Sequence, residues 1–354
     1  MMELAQFVRP EIRTMRPYRS AQFEAGLVRL NANENPWRPP GDTTAAGLNW
    51  YPEPRPARLT AALARHYGIA VDELLVTRGS SEAIDVLIRA CCPSGTSEIV
   101  ICPPTFGMYE TYAQIQGAAI RRIPLQRENG YALDVDAILA GWQPASRLLF
   151  VCTPNNPTGN AYPEAEIRRL AAGLAGRGLV VLDAAYAEFA EGGCTPDIIR
   201  DFPNVVVLRT LSKAMSLAGV RCGSLIARAE LTALLGRVLP PYTFSTLCAE
   251  AVERGLEPAN ARAWQQRVQV LRAERSRLAA GLVRAAGVKR VWPSEANFLM
   301  VEAADARALV ATARKGGVGL RDFSWDTYLP GCVRITIGTP DQNDQLLTAL
   351  GVRT

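Results

Sequence analysis

What this chain has little of narrows it first. Lysine is nearly absent: Lys213, Lys289 and Lys315 are the only three, and the rest of the 39 basic residues are arginines. Histidine occurs once, at His66, and has no histidine or cysteine cluster around it in the sequence, so it reads as structural rather than as a metal ligand or base. No apolar run reaches the ~18 residues of a membrane span. The opening MMELAQFVRPEIRTMRP carries charge throughout and lacks the apolar region of a signal peptide. Eight cysteines are present, none in a CxxC pair, and most lie in apolar runs such as those ending at Cys102 and Cys152. That usage suits buried free thiols in a reducing cytoplasm and argues against a disulfide framework or a zinc site. The net charge of +5 is spread over 354 residues by scattered arginines, so neither nucleic acid nor a membrane is an expected partner. The scarcity of lysine gives each one weight. A guanidinium stays protonated and cannot form an imine, whereas a desolvated lysine amine can.

What is there looks like an α/β chain with roughly two domains' worth of residues. From about residue 57 to 250, helical and strand patterns alternate. Leu59, Leu63 and Tyr67 follow Pro56 on one helical stripe, 82–90 reads as a second helix, and Ile167, Leu170, Ala171 and Leu174 mark a third. Short apolar strands are expected at 98–102, 148–152, 179–182, 205–208 and 223–227. Nearly continuous apolar strands between helices imply a mostly parallel sheet covered on both faces. Past about residue 255 the texture changes to a long helix over about 259–286, then strands at 297–301 and 333–337. The expected division is a large domain over 41–255 and a smaller α+β domain over 256–354, completed in part by residues 1–40. A site at the C-terminal ends of the parallel strands would lie in the cleft between them.

The chemistry-bearing residues fall just after those strands. Lys213, in Thr210-Leu-Ser-Lys-Ala-Met-Ser-Leu-Ala-Gly-Val-Arg-Cys-Gly223, follows the strand VVVL. Ser212 and Arg221 bracket it with groups suited to a phosphate, and Gly219 and Gly223 permit close backbone approach. The segment TPNNPTG at 153–159 follows another strand and places Asn156 to donate to an anionic ring oxygen, or serves only as a turn. Asp183 closes the strand LVVL, where a buried carboxylate costs free energy unless paired; a protonated pyridine nitrogen is a suitable partner. Tyr186 could bond the ring's phenolic oxygen beside Asn156. Ser80 and Ser81, in RGSSE, open a helix and form either an anion site or an ordinary cap with an acidic first turn. Phe106 follows the strand EIVIC and could stack on an aromatic cofactor or belong to the core.

Taken in order along the chain, FVRPEIR, LNANENP (30–36), YPEP (51–54), GSSEAID (79–85), PPTFGMY (103–109), NNPTG (155–159), DAAYAEF (183–189), TLSKAMSLAGVRCG (210–223) and VRITIGT (333–339) carry a resemblance. The chain resembles the fold-type-I aminotransferases that use pyridoxal 5′-phosphate, and more narrowly the histidinol-phosphate aminotransferases. The resemblance implies an aspartate-aminotransferase-like fold with a seven-stranded sheet in the large domain. It implies that Lys213 bonds the cofactor and then moves the proton between substrate Cα and cofactor C4′. Asp183 would pair with the ring nitrogen, Asn156 and Tyr186 with the ring oxygen, and Phe106 with the ring face. Ser80, Ser81, Ser212 and Arg221 would hold the phosphate, joined by Tyr51 from the partner of a homodimer. Arg334 would grip a substrate carboxylate, Tyr18 and Arg321 the phosphate of histidinol phosphate, and Asn33 belongs with these on the substrate side. Two positions depart from the family pattern: Ser81 where an Asp is common, and Ala184 where a Glu is common.

The implied reaction is transfer of an amino group between histidinol phosphate and 2-oxoglutarate, a step of histidine biosynthesis. An aromatic or broad-specificity aminotransferase and a threonine-phosphate decarboxylase share the cofactor residues and differ only around the substrate. A cofactor-binding regulatory module would need an attached DNA-binding domain, for which the motif-filled chain shows no segment.

Overall fold

The computed structural model describes residues 3–16, 18, 20–21, 27–192 and 195–353. Its larger sheet has seven strands: β1 (Leu74–Thr77), β2 (Glu98–Ile101), β3 (Ala119–Arg122), β4 (Ser146–Cys152), β5 (Leu179–Asp183), β6 (Val205–Thr210) and β7 (Gly223–Ile226), in the order β1-β7-β6-β5-β4-β2-β3. Strands β3 through β6 run parallel, and β7 alone is reversed, antiparallel to both β6 and β1. The expected mostly parallel sheet is therefore present. Its apolar strands feed both faces because side chains alternate with a period of two. Val100, Leu149, Val151, Val180, Leu182 and Val207 join one core, while Ile99, Ile101, Leu148, Phe150, Val181 and Val206 join the other.

Helices cover both faces. Ala57–Tyr67 buries Leu59 and Leu63 completely and ends on Gly68, whose φ of +69° supplies the left-handed cap. The helix anticipated at 82–90 begins earlier and spans Gly79–Cys91, so its N-terminus lies beside the C-terminal strand ends. Two strands of the larger sheet were not anticipated. One is β1, Leu-Leu-Val-Thr, whose apolar run is only three residues long. The other, β3, is the edge strand Ala-Ile-Arg-Arg, whose arginines pair with Glu98 at 2.7 Å and Glu110 at 2.9 Å. Charge on an edge strand guards its open backbone groups and hides it from a hydrophobic pattern.

The smaller sheet is antiparallel, ordered β10-β11-β9-β8 from β8 (Val288–Val291), β9 (Phe298–Ala303), β10 (Arg321–Asp322) and β11 (Cys332–Thr336). Leu299, Val301, Val333 and Ile335 pack with helices Pro258–Leu282, Ala306–Lys315 and Pro340–Ala349. Met300 and Cys332 face the opposite way and merge with the core of the large sheet. Arg334 pairs in register with Met300, so the alternation that buries Val333 and Ile335 aims Arg334 at the large sheet. The start of the chain differs from expectation. Leu4, Phe7, Val8 and Ile12 pack with helices Gly79–Cys91 and Ala229–Leu235, so these residues complete the large sheet's core, not the small one. Their near-helical spacing gives a single apolar stripe, and the uncovered helix faces of the large sheet receive it.

One buried ion pair ties the sheet to the loop that follows β5. Arg209 of β6 donates to Glu188 at 2.7 Å, with side chains only 11% and 10% exposed, and its guanidinium lies 5.4 Å from the Tyr67 ring centroid. Removing one member would leave the other charge buried and unpaired. Glu188→Ala should cost about 3–5 kcal/mol of stability. Denaturant unfolding checks this, and a loss below ~1 kcal/mol would show that water already reaches Arg209.

Candidate active site

Asp183 is the last residue of β5, and the sheet buries it almost completely, at 2% exposure. Its Oδ2 accepts a hydrogen bond from the Tyr109 hydroxyl at 2.8 Å, and its Oδ1 has no hydrogen-bond partner among the described residues. Burial pushes the carboxyl above its ordinary value, opposed by the Tyr109 hydroxyl, the Ala185 amide and the charge of Lys213. A buried carboxylate with one idle oxygen carries a desolvation penalty that a charged donor would relieve.

Lys213 stands three residues past the end of β6 and is exposed, with Nζ 5.4 Å from the centroid of the Tyr186 ring. Partial desolvation pulls its amine below the usual lysine value; Arg334 and Arg221 add to this and Asp183 works against it. The Lys213 shift moves toward the neutral amine that proton transfer requires, whereas the Asp183 shift marks a carboxylate that lacks a charged partner. Tyr186 is buried, and that burial holds its hydroxyl protonated and able to donate.

Beside this pair lies a cradle built from backbone and hydroxyls. Gly79 begins its helix at φ +76°, and Ser80 and Ser81 form the first turn, where amide hydrogens have no intrahelical partner. The serines are not caps. Arg78 holds the cap position without a side-chain cap bond, and Glu82 turns back to accept from the Arg78 amide at 2.6 Å. Thr210 Oγ1 donates to Ser212 Oγ at 2.9 Å, and Arg221 Nη1 donates to the same Oγ at 3.3 Å. Arg221 has φ +59°, a strained choice for a non-glycine residue. A Cβ on Gly79 would meet Arg221 Nη2 at 2.6 Å, and a Cβ on Gly223 would fall 2.4 Å from the Gly79 carbonyl carbon. Two glycines thus let a guanidinium and a strand end crowd against a helix N-terminus, an arrangement suited to a phosphate.

On the opposite wall, Arg334 Nη1 donates to Asn156 Oδ1, which leaves the Asn156 Nδ2 amide as a donor. Arg321 pairs in register with Arg334 across β10 and β11. Phe323 lies against both guanidiniums, 5.9 Å from Arg321 and 5.4 Å from Arg334. Burial and the neighbouring Arg321 both lower the Arg334 pKa. Like charges directly opposite in a ladder are destabilising unless an anion joins them. Phe298 links the walls, 5.3 Å from Arg334 and 5.2 Å from Tyr186.

The structure therefore brings together Ser80, Ser81, Ser212, Arg221, Lys213, Asp183, Tyr186, Asn156, Arg321 and Arg334. Phe106 is partly buried and packs edge-on against Tyr109 at 5.7 Å, within the same shell. Tyr18, Asn33 and Tyr51 stand apart. Tyr18 is 71% exposed, Asn33 is exposed at φ 57°, and Tyr51 stacks on Tyr242 at 4.8 Å. Among the described residues, no hydrogen bond or ring contact joins these three to the Lys213 cluster. Tyr109, Phe298 and Phe323 went unnoticed in the sequence. Tyr109 had one signal, a hydroxyl at the buried start of a helix, where a phenol needs a partner. His66 packs against Tyr67 and Trp264, 4.8 and 5.9 Å between ring centroids. The seven described cysteines are free. No described group of three or more His, Cys, Asp or Glu could hold a metal ion, and no described helix is long and apolar enough to cross a membrane.

The family model for aminotransferases of class I and II matches residues 28–350. The chain belongs to this family. Among its relatives, the histidinol-phosphate aminotransferase of Xanthomonas campestris pv. campestris is 45% identical over 97% of this chain and 96% of its own length. That of Xylella fastidiosa is 43% identical over 97% and 95%. Of solved structures, the histidinol-phosphate aminotransferase from Sinorhizobium meliloti in complex with pyridoxal-5′-phosphate shares the fold, with TM-score 0.77, 24% identity and coverage of 85% and 82%. So does an L-threonine-O-3-phosphate decarboxylase from Porphyromonas gingivalis, with TM-score 0.73, 24% identity and coverage of 86% and 90%.

The cofactor of this aminotransferase is pyridoxal 5′-phosphate, and the residues present fit it. Asp183 Oδ1 lacks the donor that a protonated ring nitrogen would supply, the Gly79–Gly223 cradle suits the phosphate, and Lys213 offers a depressed amine.

The raised Asp183 pKa has a consequence for stability. A carboxyl held above its unfolded value favours folding while protonated, and that contribution fades as pH rises through the folded value. At pH 7, cofactor-free Asp183→Asn should therefore be at least as stable as the native chain, yet bind the cofactor about tenfold or more weakly. Chemical denaturation and fluorescence titration measure the two quantities. A clear loss of cofactor-free stability would show that the ionised carboxylate is already compensated.

Proposed function

We propose that this aminotransferase moves an amino group from histidinol phosphate to 2-oxoglutarate, yielding imidazole-acetol phosphate and glutamate. The relatives' shared activity supports the substrate, and one feature of the site carries the reading: two arginines paired across β10 and β11 at the mouth of the Lys213 cluster. Pyridoxal phosphate, when bound, supplies an aldehyde that captures the amine and a ring that accepts its electrons.

The chain's own residues divide the remaining work. Lys213 takes the proton from substrate Cα and returns it at the cofactor C4′ carbon. Asp183 holds the ring nitrogen protonated, and Asn156 Nδ2 and the Tyr186 hydroxyl donate to the ring oxygen. Phe106 covers the ring face. Ser80, Ser81, Ser212 and Arg221 anchor the phosphate and so fix the ring against Lys213. Arg334 receives the α-carboxylate of glutamate, Arg321 with Tyr18 receives the phosphate monoester of histidinol phosphate, and Asn33 serves the substrate side. Two substrates with different anions then share one site in turn.

Tyr51, exposed and stacked on Tyr242, suits a role in trans, reaching the phosphate of the neighbouring subunit in a homodimer. The substrates and the buried free thiols suit a cytoplasmic enzyme.

Arg321→Ala tests the division of labour. Losing charge-assisted bonds to a phosphate should raise KM for histidinol phosphate about 10- to 100-fold, with a much smaller change for glutamate. Equal losses for both substrates in steady-state kinetics would remove Arg321 from the phosphate.

A further inference from the structure

Tyr109 is fully buried in the first turn of helix Met108–Gln116. Its ring stacks on Phe150 of β4 at 4.6 Å with 16° between the planes, and Phe106 meets it edge-on. The ring is thus locked, and its hydroxyl points at Asp183 Oδ2 across 2.8 Å. A carboxylate has two oxygens and a free torsion, so a donor fixed on one oxygen decides where the other points. The oxygen left over, Oδ1, is buried and has no hydrogen-bond partner among the described residues.

We propose that Tyr109 is a positioning residue for the cofactor: its hydroxyl holds Oδ2 so that Oδ1 of Asp183 faces the ring nitrogen as an ionised acceptor. This rests on the assignment of pyridoxal phosphate to the site. Through its ring, the same tyrosine also braces Phe106, so one side chain sets both the edge partner and the face partner of the cofactor. The phenol acts only through Asp183; it touches no reacting atom. The hydroxyl opposes the burial that raises the carboxyl above its ordinary value, and so favours the ionised form. Without it, Asp183 is a weaker partner for a protonated ring nitrogen.

Tyr109→Phe keeps every ring contact and deletes only the donor. The full-length variant should bind pyridoxal phosphate about tenfold more weakly, as for one hydrogen bond to a charged group. The ¹⁵N resonance of cofactor labelled at the ring nitrogen should move from the protonated toward the unprotonated position. A 1-deaza analogue, with carbon in place of that nitrogen, should bind native and variant proteins alike. An unchanged affinity and resonance would overturn the proposal, as would equal weakening for cofactor and analogue, which would mean that Tyr109 only packs. If Tyr109→Phe did not fold, 3-fluorotyrosine at position 109, a stronger donor of nearly the same shape, should tighten cofactor binding; weaker or unchanged binding would count against the role. A native protein that takes up no pyridoxal phosphate would instead overturn the cofactor assignment.

Discussion

A carboxyl group at the end of a buried parallel strand is the constraint around which this enzyme is arranged. Asp183 sits where the sheet removes nearly all water, and among the described residues only one of its oxygens has a hydrogen-bond partner. Such a group is unfavourable in the empty protein and becomes favourable when a cationic ring nitrogen arrives. Much of the surrounding structure positions that encounter. The β5 and β6 termini set Asp183 and Lys213 side by side, and the Arg209–Glu188 pair fastens the intervening loop to the sheet. The Gly79–Gly223 approach places the phosphate cradle at a set distance from both.

The second wall follows from strand alternation in the smaller sheet. Residues that bury Val333 and Ile335 on one face leave Arg334 on the other, directed at Asn156. Placing Arg321 opposite Arg334 concentrates positive charge on this wall, and burial of Arg334 makes that charge costly to hold without an anion. On the proposed reading, cofactor residues come from the large sheet and substrate arginines from the small one.

Much of this was legible in the sequence, for identifiable reasons. The strands β2, β4, β5 and β6 are buried on both faces, so each left an apolar run ending close to a chemical residue, while the reversed β7 left one that begins just after Arg221. Lys213 stood out because arginine replaces lysine almost everywhere else. Edge strand β3 and the two-residue β10 were invisible because charge and brevity leave no hydrophobic pattern. Tyr109, Phe298 and Phe323 were missed because their roles depend on pairings between distant segments, which no local pattern encodes. Residues 4–12, expected with the small sheet, pack on the large one, since an amphipathic stripe shows that a face is buried but not against what. The departures Ser81 and Ala184 leave the core of the site intact: Ser81 still lies in the first turn of its helix, and Ala184 is buried beside Asp183.

The central claim is a two-stage amino transfer through Lys213 and the bound cofactor. Its most direct test mixes the cofactor-loaded enzyme with histidinol phosphate alone, without any oxo acid, and follows the cofactor absorbance and the products. One equivalent of imidazole-acetol phosphate per chain should form as the aldehyde-state band disappears, and 2-oxoglutarate should then restore the band with release of glutamate. An unchanged spectrum, or loss of the band with no imidazole-acetol phosphate formed, would contradict the account.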